Sequence, residues 1–307
     1  DDGVSLGDRN APTAAYAALT PPFHRSEEGE WFGGQFLDGR ASTLADQAGG
    51  PPLNPVEMGM PDTAAVMARL QENPVYEGAF PAIYGPDIWQ SADQAFAAMT
   101  QALAAFEQTD LFAPFDSKYD RFLRGEVEFT KEEELGRLLF FSEQFTNCNL
   151  CHQVSTSQVN PRETFTDYSY HNIGVPQNTA LREINGVEQG TIDEGLFGNP
   201  AVDDPGELGK FRTPTLRNVA VTGPYMHNGV FEDLRTVILF YNRFNSRSEA
   251  RQINPETGAP FGPPPVPATL SVEELTHGPA LEDDRIDALV AFLKTLTDAR
   301  YQHLIEE

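Results

Sequence analysis

Cys148-Asn149-Leu150-Cys151-His152 places two thiols three positions apart, with an imidazole directly after the second. On one turn of helix this spacing lets both sulfurs form thioethers with the vinyl groups of a haem, and lets the histidine reach the iron. Competing chemistries fit less well. A tetrahedral zinc site needs further thiolates or imidazoles at suitable spacing, and the chain has only 2 cysteines. A thioredoxin-like dithiol belongs in a βαβ context, whereas this motif follows a helical stretch. The expected cofactor is therefore haem c, bound covalently at Cys148 and Cys151 with His152 on the iron. Attachment of this kind takes place outside the bacterial plasma membrane, so a periplasmic location is expected. For the other face of the iron, Met226, His227, Tyr241 and His171 are all competent, and it can also stay open; spacing does not choose among them.

Helices must hold this motif. Thr130-Lys131-Glu132-Glu133 reads as a capping box, followed by Leu135, Leu138 and Leu139 on one stripe leading into the cysteines. Further helices are predicted from Asp62 to Leu70, Ser91 to Phe106, Asp233 to Phe244 and Asp284 to Leu296, with a second capping box at Ser271 and Glu274. Residues 1–60, 154–212 and 255–267 are rich in turn-forming residues and read mostly as loops, with short helices within 1–60. Residues 107–129 read as an inter-domain connection. The fold class is mainly α: two cytochrome c-like helical domains with long loops, at 1–115 and 116–307, and haem near their interface.

The chain has 307 residues, enough for two cores. Its 46 acidic against 21 basic residues give a formal net charge of -25. Such a chain repels nucleic acid and anionic membranes, and would suit a basic redox partner or simply stay soluble in a salty medium. No apolar run approaches the roughly 20 residues that span a bilayer. The opening Asp1-Asp2-Gly3 lacks the basic and apolar regions of a signal peptide, so a processed or shortened start is expected.

Several segments, in order, resemble the di-haem cytochrome c peroxidase superfamily and its MauG-like branch. They are Gly7 to Thr13 (GDRNAPT), Phe36 to Arg40 (FLDGR), Asn54 to Gly59 (NPVEMG), Thr164 to Asp167 (TFTD), His171 to Gly174 (HNIG), Phe211 to Asn218 (FRTPTLRN) and Pro224 to Gly229 (PYMHNG). The resemblance implies that the distal ligand of the second haem lies fourteen residues after His227, at Tyr241, where the peroxidases carry Met. It further implies a peroxide pocket of Gln47, Pro51 and Glu57, with Glu57 moving a proton between the peroxide oxygens. Asn10, with the carbonyls of Thr222 and Pro224, matches a calcium site, whose oxygen donors suit that ion. His171 and His227 would be neighbours of the ligands or propionate partners, and Arg217 a propionate partner.

The pattern also departs from the family. The other haem-attachment motif would fall upstream of residue 1, so a second haem is expected there if the chain is shortened. Leu37 replaces the tryptophan between the haems, and Thr146 the surface tryptophan before the second motif; Trp31 lies near Leu37 in sequence. The expected function is a hydrogen peroxide-dependent oxidoreductase acting on a partner protein or small cytochrome. The alternative is an electron-transfer cytochrome c without peroxidase activity.

Overall fold

The computed structural model describes residues 5–146, 148–153 and 159–305; the opening Asp1-Asp2-Gly3 and part of the 154–212 loop lie outside them. A two-stranded ribbon, β1 (His24–Arg25) and β2 (Trp31–Phe32), precedes two short helices, α1 (Leu44–Ala48) and α2 (Gly50–Leu53). Then come α3 (Thr63–Gln71), α4 (Pro74–Tyr84) and α5 (Ala92–Glu107). Asp62 and Ser91 cap α3 and α5 by accepting from the backbone N–H of Ala65 and Gln94, and this fixes where those helices begin. Sequence patterning missed α4, whose Pro81 breaks the expected periodicity and whose Pro74 occupies the first turn, where its missing N–H costs nothing. Phe80, Ile88, Ala95 and Ala98 form the small core of this unit.

The second unit begins at α6 (Lys118–Leu123), inside the stretch read as a connection. That reading is corrected: Tyr119 is fully buried in the main core and its N–H donates to the Thr295 carbonyl. Helix α7 (Lys131–Phe140) opens on the expected reciprocal capping box of Thr130 and Glu133. After α8 (Cys148–Cys151), strand β3 (Tyr170–His171) pairs antiparallel with β4 (Phe211–Arg212), and α9 (Thr179–Asn185) lies in the intervening loop. Helices α10 (Leu234–Asn242), α11 (Val272–Thr276) and α12 (Asp283–Lys294) complete the unit. Ser271 does not cap α11 through its side chain; its hydroxyl lies 3.4 Å from His171 Nδ1 instead.

Helices α7 and α12 cross at Gly136, where a Cβ would collide with the Ala288 carbonyl. Around that crossing Phe292 packs on Phe140 at 5.2 Å and on Tyr119 at 5.9 Å, and Phe165 meets Tyr119 at 5.2 Å. Such edge and tilted contacts each contribute about 0.5–1.5 kcal/mol beyond area burial.

The N-terminal segment is tied onto this second unit. Arg9 bridges Asp193 at 2.6 Å and Asp38, Arg182 binds Asp8 at 2.8 Å, and Asn199 donates to the Asp38 carbonyl. Tyr16 is buried here with φ 62, a left-handed conformation that costs a non-glycine residue about 1–2 kcal/mol. Contacts from both units hold it there.

Candidate haem site

Helix α8 is a single turn, continued by the His152 N–H donating to the Cys148 carbonyl at 2.9 Å, so both sulfurs and the imidazole sit on consecutive turns. They front a cavity of about 390 Å³ whose wall also includes Leu234, Val237, Ile238, Leu289 and Leu293. Its size and mostly apolar lining suit a large planar cofactor. His152 Nδ1 lies 3.0 Å from the Phe165 carbonyl, which can only accept, so Nδ1 carries the proton and Nε2 keeps its lone pair. Burial lowers the His152 pKa, which further favours the neutral form that binds metal.

All four candidates for the opposite face, Met226, His227, Tyr241 and His171, reach the wall of this one cavity. Tyr241, on α10, makes no hydrogen bond through its hydroxyl among the described residues, and burial raises its pKa above the ordinary phenol range. A phenol left without a partner in such a place is suited to a cation, whose charge would reverse the effect of burial. His227 stacks on Phe211 at 3.7 Å and is held neutral, its pKa lowered to about 4 chiefly by burial. His171 differs. Burial opposes its protonation, yet hydrogen bonds to Asp167 and Cys151 outweigh that and raise its pKa to about 10. Its Nε2 lies 2.7 Å from Ser169 Oγ and 3.4 Å from Cys151 Sγ. Cys151, Asp167 and His171 thus gather three possible metal ligands, a grouping that sequence spacing did not reveal. The share due to Cys151 disappears once that sulfur is in a thioether.

Arg217 is fully buried and has a protein partner: it pairs with Asp120 at 2.7 Å and donates from Nε to the Glu163 carbonyl. Four aromatic rings surround it, with Tyr16 at 5.4 Å and Phe115 at 4.9 Å. The expectation of a propionate as its counter-charge is corrected to that extent, since Asp120 neutralises it. Its Nη2 has no partner among the described residues, and the whole side chain is closed off from solvent.

Gln47, on α1, reaches the cavity wall beside Leu37. Pro51 lies in α2, and the turn after it folds back through Met58 N–H donating to the Pro51 carbonyl, so Glu57 is carried next to Pro51. Glu57 itself is exposed, and neither it nor Pro51 lines the cavity. Asn10 meets the Pro224 to Gly229 segment: its Nδ2 donates to the Pro224 carbonyl at 2.5 Å and its backbone N–H to the His227 carbonyl. As oriented this is a hydrogen bond; rotation of the amide would turn an oxygen donor to the same place. Trp31 stacks on Phe23 at 4.8 Å and lies off the cavity wall. Thr146 is buried and donates to the Leu139 carbonyl at 2.5 Å.

The family model for di-haem cytochrome c peroxidase matches residues 2–128. Methylamine utilization protein MauG of Paracoccus denitrificans is 55% identical over 307 residues, spanning 100% of this chain and 79% of that protein. Cytochrome c peroxidase Ccp of Escherichia coli is 32% identical over 251 residues, 81% of this chain and 46% of that one. The crystal structure of the diheme peroxidase BthA from Burkholderia thailandensis superposes with a TM-score of 0.85 at 33% identity, covering 98% of this chain and 75% of that chain. With a haem-attachment turn, a large apolar cavity and these relatives, the chain belongs to the di-haem cytochrome c peroxidase family and is a haem c oxidoreductase of the peroxidase type.

Proposed function

We propose that this protein is a MauG-like, hydrogen peroxide-dependent oxidoreductase that works in the periplasm and oxidises a partner protein or small cytochrome. The observation that carries the reading is the convergence of Cys148, Cys151, His152 and the unpartnered hydroxyl of Tyr241 on one apolar cavity. Haem c supplies the redox chemistry when bound. Cys148 and Cys151 would hold it through thioethers, and His152 Nε2 and the Tyr241 phenolate would be its protein ligands. A phenolate is a hard anionic donor that favours oxidised iron, which suits storage of oxidising equivalents over simple electron relay. His171, on the cavity wall, would hydrogen-bond a propionate.

Gln47, Pro51 and Glu57 would serve a second haem, Glu57 as the acid/base that moves a proton between the peroxide oxygens. An exposed carboxylate in this chain becomes competent there only when a further element covers it. Asn10 Oδ1 with the Thr222 and Pro224 carbonyls would bind calcium between the two haems, three oxygen donors of the kind that ion accepts. The acidic surface of a chain with net charge -25 would steer a basic partner.

Intact-protein mass spectrometry on material from the native host, joined to a peroxide-titrated optical spectrum, tests the reading. Two haems per molecule and a Soret change at stoichiometric peroxide are expected. One haem and a spectrum indifferent to peroxide would overturn it and leave an electron-transfer cytochrome.

A further inference from the structure

Leu37 lines the cavity wall where the resemblance places a tryptophan, and an aliphatic side chain cannot carry an oxidising equivalent. Tyr16 lies on the same wall, 2% exposed. Its hydroxyl donates to Asp298 Oδ1 at 2.6 Å and accepts from the Phe115 N–H at 3.2 Å. Asp298 is itself fully buried, and Asn218 holds its second oxygen at 2.8 Å. A buried phenol needs only a neutral acceptor to be satisfied. Tyr168, also on the wall, gives its proton to the Thr164 hydroxyl, and Tyr170 gives its own to the Gly33 carbonyl. Neither acceptor can keep a proton. Asp298 can.

We propose that Tyr16 is the redox-active side chain of this cavity, oxidised by one electron while its proton passes to Asp298. The inference rests on the peroxidase reading above, which supplies the oxidant. In the step, the Tyr16 O–H bond breaks and an O–H bond forms on Asp298 Oδ1. One electron leaves the ring and reduces the oxidising equivalent generated from peroxide by one unit. An electron from the substrate later restores the tyrosine, and the proton returns. The surroundings fit this coupling. The Arg217 guanidinium stands 5.4 Å from the Tyr16 ring, where it would oppose a cationic radical and favour loss of the proton together with the electron. Burial raises the pKa of Asp298 above the ordinary carboxylate range, making it a better proton acceptor, and burial likewise keeps Tyr16 protonated at rest.

The test is electron paramagnetic resonance of holoprotein frozen after mixing with hydrogen peroxide, with ordinary and ring-deuterated tyrosine. A radical signal that narrows on deuteration is expected in the wild type. It should be lost in Tyr16→Phe and in Asp298→Asn, while both variants keep their haem absorbance and the optical change set off by peroxide still forms but decays more slowly without its electron donor. Peptide mass spectrometry of the treated wild type should find oxidation products at Tyr16, a readout that needs no variant to fold. A tyrosine signal that persists unchanged in Tyr16→Phe would overturn the proposal. So would a wild type that answers peroxide optically without a tyrosine signal. No optical response in the wild type would instead overturn the peroxidase reading, and the proposal with it.

Discussion

Two parts of the molecule carry chemistry, and they are held very differently. The turn bearing Cys148, Cys151 and His152 is packed against a core in which Tyr119, Phe165, Phe292 and Ile286 are fully buried. The segment bearing Gln47, Pro51 and Glu57 consists of two short helical turns and an exposed reverse turn, and Glu57 faces solvent. The first is a preformed wall whose polar atoms already have geometry. The second has its residues in order, but of the three only Gln47 lines that cavity. A covalently attached group demands rigid placement of its ligands, while an acid/base residue can acquire its surroundings from whatever covers it.

Substitutions separate the two regions. The largest effect is expected from Cys151→Ala with Cys148→Ala, which should remove covalent haem entirely, read as loss of the haem mass from the intact protein. Glu57→Gln should leave the unfolding free energy within about 0.5 kcal/mol of the wild type, as for other surface changes. The rate of peroxide reaction should fall by about 10²–10⁴-fold, as when a general acid/base is removed. An unchanged rate would return Glu57 to the solvated surface. Arg217→Met works the other way. It leaves the buried Asp120 carboxylate without its 2.7 Å partner and should cost about 3–5 kcal/mol in denaturant unfolding. Gly136→Ala forces α7 from α12 and should cost about 1–3 kcal/mol, with haem binding retained.

Much of this was legible in residues that act locally. The haem turn is written in five consecutive positions, and the caps at Thr130, Ser91, Asp62 and Asp233 mark where helices begin. What was not legible depends on contacts distant in sequence. The burial of Tyr119 next to Thr295 turned an apparent linker into core, because a helix of 6 residues is too short to give a periodic signal. Asp120 as the partner of Arg217 is separated from it by 97 positions, and Asp298 from Tyr16 by 282. The grouping of Asp167 and His171 about Cys151 rests on the Asp167 N–H donating to the Cys151 carbonyl at 2.8 Å, a contact between a loop and the haem turn that no periodicity announces. Helix α4 escaped because proline inside a helix is normally evidence against one.

Haem c is expected to bind in this cavity with His152 and Tyr241 as its protein ligands. Resonance Raman spectra of the holoprotein and of Tyr241→Phe test this most directly. Iron–phenolate bands are expected in the wild type and should vanish in the variant, with covalent haem content unchanged. Identical spectra from the two proteins would contradict it and return Tyr241 to an ordinary place on the wall.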